Sequence, residues 1–193
     1  RMLALRSDMT PQMARLASTR LATAPRPLRL CYAGSVLRVS GGSSARDRQL
    51  RQVGAELFGS RAAEADAEIV LLAVAALDAI GINNISVDLN VPRMACDLTA
   101  DLGLSPAAKA ALMTALDRKD TAEMRRLAPA AADMLIALTK TGGPAEDALK
   151  AAQAVALPDA AAERLTRLSE ITALIRADAP NLDLTIDFVE HRG

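Results

Sequence analysis

Arg48-Gln49-Leu50-Arg51-Gln52-Val53-Gly54-Ala55-Glu56-Leu57-Phe58-Gly59 reads as a β-strand whose two faces differ in chemistry. With a side-chain period of two, Gln52, Gly54 and Glu56 share one face, and Val53, Ala55 and Leu57 share the other. Amide, bare backbone and carboxylate in a row make an odd solvent face. A glycine inside a strand marks a close approach by a ligand or another backbone. A pocket floor that accepts hydrogen bonds from a cationic or imidazole-bearing ligand needs such a face. An ordinary polar face of an edge hairpin satisfies the same pattern, and on these residues alone both readings stand.

Upstream, Leu28, Leu30 and Tyr32 alternate with Arg29 and Cys31, which predicts a first strand running to Arg38. Ser40-Gly41-Gly42-Ser43-Ser44-Ala45 has strong turn chemistry. Two long strands around a polar loop predict an antiparallel hairpin. Arg38 before the loop and Arg46 and Arg48 after it can clamp phosphate oxygens in bidentate fashion, or form a solvated basic cluster. Further upstream, Leu5-Arg6-Ser7-Asp8-Met9-Thr10-Pro11 precedes a helix. Thr10 is the expected cap and Pro11 the first helical residue, with Met13, Leu16 and Ala17 on one face. Asp8 and Thr10 can together accept an ammonium group, or they are cap residues with no ligand.

Downstream, residues 62–80 predict an amphipathic helix closed by Gly81. Ile85, Val87 and Leu89 then alternate as a strand. After Pro92 the pattern turns helical. Ser105-Pro106 opens one helix, Asp120 and Glu123 form a capping box for another, and Asp159 follows Pro158 at the start of the last. Leu165, Leu168, Ile171, Thr172 and Ile175 give that last helix an apolar face. Leu182, Leu184, Ile186 and Phe188 return to strict alternation. The reading is an α+β core at residues 1–92, a helical insertion at 93–180, and a return strand of the same sheet at 181–193.

The 193 residues allow one sizeable core with a small helical unit appended. Just over half are hydrophobic and almost none aromatic, so the core is aliphatic. With 23 basic and 23 acidic residues there is no surplus to neutralise phosphates, which argues against nucleic-acid binding. Cys31 and Cys96 form no CxxC pair and are expected as buried free thiols of a reducing cytoplasm. The longest apolar run, residues 69–77, is too short for a membrane span, and no signal peptide is evident. No cofactor or metal is expected. The chain begins without Met and stops just after a strand-like run, so it is expected to be a fragment.

The motifs together resemble the histidyl-tRNA synthetases of class II. Leu5-Arg6-Ser7-Asp8-Met9-Thr10 is similar to their Leu-Arg-Pro-Glu-Gly-Thr stretch. Tyr32-Ala33-Gly34-Ser35-Val36-Leu37-Arg38 is similar to the first strand of motif 2, ending in its ATP-binding Arg. Gln52 to Gly59 follows the family's Gln-x-Gly-x-Glu-x-Phe-Gly pattern, and Glu190-His191-Arg192-Gly193 resembles the lead into its histidine-specific Arg-Gly segment. The resemblance implies a class II antiparallel sheet flanked by helices. It implies that Asp8, Thr10 and Gln52 hold the α-amino group of histidine, Glu56 its imidazole, and that Arg192 assists. Arg38, with Arg46, would be what remains of a nucleotide site. His191, without a partner motif, is read as structural or solvent-facing.

The departures carry as much meaning. Where synthetases have His-Glu-Arg after the motif 2 Arg, this chain has Val39-Ser40-Gly41. Nucleotide contacts are lost while amino-acid contacts are kept. That pattern resembles the regulatory subunits of ATP phosphoribosyltransferase, synthetase-like proteins without aminoacylation activity. The resemblance implies a cytoplasmic, non-catalytic subunit in histidine biosynthesis. It would be a homodimer within a hetero-oligomer, assembling with short-form catalytic subunits, with histidine as ligand and neither nucleic acid nor membrane as partner. The alternative is the catalytic domain of a histidyl-tRNA synthetase.

Overall fold

The computed structural model describes residues 5–38 and 48–189, in two compact units divided between Ile69 and Val70. Arg46, Arg192, His191 and the Val39-Ser40-Gly41 segment lie outside the described residues.

The first unit is built on a hairpin. Strand β1 (Leu28–Leu37) pairs antiparallel with β2 (Gln49–Phe58) in unbroken register, from Leu28 opposite Phe58 to Leu37 opposite Gln49. Alternation fixes the faces. Leu30, Tyr32, Gly34 and Val36 turn inward with their partners Glu56, Gly54, Gln52 and Leu50, while Arg29, Cys31, Ala33 and Ser35 are exposed. Val53, on the outer face, is 73% exposed. The polar row of β2 is half-buried throughout, while the apolar row is open at Val53 and half-buried at Ala55 and Leu57.

Helix α1 (Thr10–Ser18) buries Ala17 and half-buries Met13 and Leu16. Its cap is not Thr10, as expected, but Met9, which offers no side-chain bond. The reason is that the Thr10 hydroxyl is engaged elsewhere, and Asp8 accepts the Thr10 N–H at 3.0 Å. Arg26 closes the other end, its guanidinium donating to the Ala17 carbonyl.

Helix α2 (Ala63–Asp78) crosses the division between the units. An Arg29–Glu68 ion pair ties its first turns to β1. Gly81, at φ 84°, ends it in a left-handed turn, with the Ile82 N–H bonded to the Leu77 carbonyl at 3.0 Å. The expected amphipathic stripe is visible in the burial: Ala63 and Ala67 are buried and Val70, Leu71, Val74 and Leu77 half-buried at helical spacing, while Leu72, Ala73, Ala75 and Ala76 on the other side are exposed.

In the second unit, β3 (Ser86–Asn90) pairs parallel with β5 (Asp183–Asp187), and the short β4 (Gly143–Pro144) pairs antiparallel on the far side of β5. Parallel neighbours need a long crossover. Here it contains α3 (Pro92–Leu98), α4 (Pro106–Asp117), α5 (Thr121–Leu127), α6 (Ala132–Thr139), α7 (Ala145–Gln153) and α8 (Asp159–Asp178). Ser105 caps α4 by accepting the Ala108 N–H. Asp120 caps α5, but the Glu123 carboxylate does not return to complete the box; it pairs with Arg126 one turn on. The core is aliphatic. Met94, Leu98, Leu116, Leu135, Ile175 and Ile186 are all but sealed from solvent, with Phe188 the one aromatic among them. An Arg164–Asp97 ion pair joins α8 to α3. Both cysteines are free as expected, yet exposed rather than buried: Cys31 on the open face of the hairpin, Cys96 on the outer side of α3.

Candidate functional site

The inner face of the hairpin carries one connected polar group. Residues 6–10 lie across it, held first by backbone: the Leu37 N–H donates to the Arg6 carbonyl at 2.9 Å, and Arg6 Nε donates to the Ser35 carbonyl at 2.8 Å. Gly34 lets the segment come this close. A Cβ there would stand 2.6 Å from an Arg6 guanidinium nitrogen and 3.0 Å from the Met9 sulfur.

Gln52 then locks the segment with both ends of its amide. Its Oε1 accepts the Met9 N–H at 2.8 Å, and its Nε2 donates to Asp8 Oδ1 at 2.7 Å. Asp8 Oδ1 also accepts the Thr10 N–H at 3.0 Å. Satisfied this way as an anion, the Asp8 carboxyl is held below the usual aspartate range, chiefly by the Gln52 amide and next by the Thr10 N–H. The Thr10 hydroxyl meets the Tyr32 hydroxyl at 2.8 Å. Asp8, Thr10 and Gln52, drawn from two parts of the chain, thus form one network.

Glu56 stands on the same face of β2, two alternations beyond Gln52, opposite Leu30 and half-buried. Among the described residues its carboxylate has neither hydrogen-bond nor ion-pair partner. A half-buried carboxylate with open lone pairs can take a donor from a ligand. Arg38 continues the β1 ladder, its N–H donating to the Arg48 carbonyl at 2.9 Å, with an exposed side chain. No cluster of three or more His, Cys, Asp or Glu suited to a metal occurs among the described residues. None of their helices is long and apolar enough to cross a membrane.

Sequence reasoning missed two participants. Arg6 anchors the segment through its backbone carbonyl and guanidinium, and nothing in its context signals that. Tyr32 was legible as an inward position of β1. Its role at Gly54 depends on register, which one strand alone cannot reveal. A Cβ on Gly54 would stand 2.4 Å from the Tyr32 Cζ and hydroxyl oxygen, so the close approach that this glycine permits is by the phenol ring.

Comparison with known proteins agrees with the fold. The histidyl-tRNA synthetase family model matches residues 1–193. The chain is 48% identical over 192 residues to an ATP phosphoribosyltransferase regulatory subunit from Rhodospirillum centenum, matching 100% of this chain and 50% of that protein. It is 46% identical over 193 residues to one so named from Paramagnetospirillum magneticum, again over 100% of this chain and 51% of the relative. The chain thus spans about half the length of the curated relatives it matches. Among solved structures, an ATP phosphoribosyltransferase regulatory subunit/histidyl-tRNA synthetase from Bacillus halodurans C superposes with TM-score 0.81 at 22% identity, covering 96% of this chain and 49% of that one. The architecture is the α+β class II synthetase fold. Matched from end to end by the family model, the chain belongs to the histidyl-tRNA synthetase family.

Proposed function

We propose that the protein to which this chain belongs is the non-catalytic regulatory subunit of ATP phosphoribosyltransferase. It would be required for that enzyme's activity and for histidine feedback on the first step of histidine biosynthesis. The observation that carries this reading is the 48% identity, along the whole chain, to a protein of that name. The site supports it. The Asp8–Gln52–Thr10 network and the unpartnered Glu56 suit an amino acid with a basic ring, Asp8 and Thr10 taking the ammonium and Glu56 the imidazole. On the nucleotide side Arg38 remains, but Val39-Ser40-Gly41 offers no carboxylate or imidazole to grip ATP. Equal numbers of basic and acidic residues add no support for a tRNA substrate.

Mechanistically, such a subunit acts by differential binding. Assembly with a short-form catalytic subunit favours its active state, and histidine shifts that balance by binding the two states unequally. In this reading the protein works as a dimer in a cytoplasmic hetero-oligomer, with histidine held in the pocket of the hairpin and Arg192 assisting.

The test uses the full-length protein. Added to a short-form ATP phosphoribosyltransferase, it raises turnover, histidine lowers that turnover, and no histidine-dependent ATP–pyrophosphate exchange accompanies it. Such exchange would identify a working synthetase instead, and no effect on turnover would remove the regulatory assignment.

A further inference from the structure

The Tyr32 phenol lies across the middle of the hairpin's inner face, over Gly54. Tyr32 faces Gly54 directly in the register, and the ring occupies the space a side chain at 54 would fill, 2.4 Å from its ideal Cβ position. Gly54 is flanked on the same face by Gln52 and Glu56, so the phenol separates the residue that holds the Asp8 segment from the open carboxylate. Its hydroxyl reaches Thr10 Oγ1 at 2.8 Å. Thr10 is tied through its N–H to Asp8, and Asp8 to Gln52.

The direction of the hydroxyl bond follows from what the site must do. Either oxygen can be the donor of this bond. An ammonium group carries only donors, so a Thr10 oxygen that accepts from it must send its own proton elsewhere. The Tyr32 oxygen is the acceptor within reach.

We infer that Tyr32 is a positioning residue for ammonium recognition: it accepts the Thr10 proton and so turns the Thr10 lone pairs toward the ligand's amino group, Gly54 being the position that lets the phenol lie there. Tyr32 need not touch the ammonium; it acts through Thr10. This inference rests on the reading that an amino acid occupies this pocket.

The experiment is a double-mutant cycle on the full-length protein, with histidine affinity measured by calorimetry. Tyr32→Phe keeps the ring over Gly54 and removes only the acceptor, and its unfolding midpoint is recorded as a check on folding. It is expected to weaken histidine about five- to tenfold, the worth of one hydrogen bond. Thr10→Val is expected to weaken it at least as much, and adding Tyr32→Phe to Thr10→Val should then change nothing further. A contribution of Tyr32 that does not pass through Thr10 would make the two losses multiply, and that outcome overturns the inference. So does unchanged affinity in Tyr32→Phe. Glu56→Gln separates the two levels. If it weakens histidine while Tyr32→Phe does not, the pocket reading stands and the inference fails; if neither variant alters affinity, the pocket is not the histidine site and both fail.

Discussion

Gly54→Ala probes the packing of Tyr32 on the hairpin's inner face, and its effect can be worked from opposing contributions. Replacing glycine inside a strand by alanine gains about 0.5–1 kcal/mol, because less backbone freedom is lost on folding. Against this, the new Cβ would stand 2.4 Å from the Tyr32 Cζ and hydroxyl oxygen and 2.9 Å from Cε2, so the ring must move. Overpacking of that kind costs about 1–3 kcal/mol. A displaced ring also gives up its hydrogen bond to Thr10, a further ~1 kcal/mol. The balance is a loss of about 1–3.5 kcal/mol, located in the hairpin. Native-state amide exchange of β1 and β2 in the full-length protein measures it locally, where a global melt of a protein with more than one unit does not. The decisive control is the same substitution in a Tyr32→Ala background. With the ring gone only the backbone contribution remains, and the change should become stabilising by about 0.5–1 kcal/mol. Equal losses in both backgrounds would refute the reasoning, since the cost could not then come from the Tyr32 contact.

Three further predictions follow from the fold. Met94→Ala, at a position with no exposed surface, should destabilise the second unit by about 2–5 kcal/mol in chemical denaturation; a loss well under 1 kcal/mol would mean α3 does not bury this side chain. Ser105→Ala should cost α4 about 1 kcal/mol and Ser105→Gly only a few tenths, read from exchange of the Ala108 amide, with the opposite order counting against the cap. The docking of residues 6–10 should loosen in acid. Because the Asp8 pKa is lowered on folding, its contribution is fully present above the ordinary value of 3.8 and is lost as pH falls through the lower folded value. NMR titration of the Met9 and Thr10 amides between roughly pH 5 and 2 follows this. Amide shifts moving with a midpoint above 3.8 would contradict it.

Local chemistry made the elements readable. Proline after a cap residue, alternation in β1, β2, β3 and β5, Gly81 after the apolar run of α2, and Ser105-Pro106 before α4 each fix a backbone choice within a few residues. Period two also placed Gln52, Gly54 and Glu56 together on one face, and from that face Gln52 holds the Asp8–Met9 segment. What a strand pairs with is not local. Alternation in residues 182–188 is the same for either neighbour direction, and only the crossover through six helices makes β3 and β5 parallel. A hydroxyl or carboxylate beside a helix start suits either a cap or a partner further away, and the tertiary arrangement decided between them: Tyr32 claimed the Thr10 hydroxyl, and Gln52 claimed Asp8. The sequence by itself determined which residues could form an amino-acid site and that they sit on one strand face and one loop. Only the folded hairpin, bringing residues 44 positions apart into hydrogen-bond contact, decided that Gln52 holds Asp8 and that a phenol lies over Gly54.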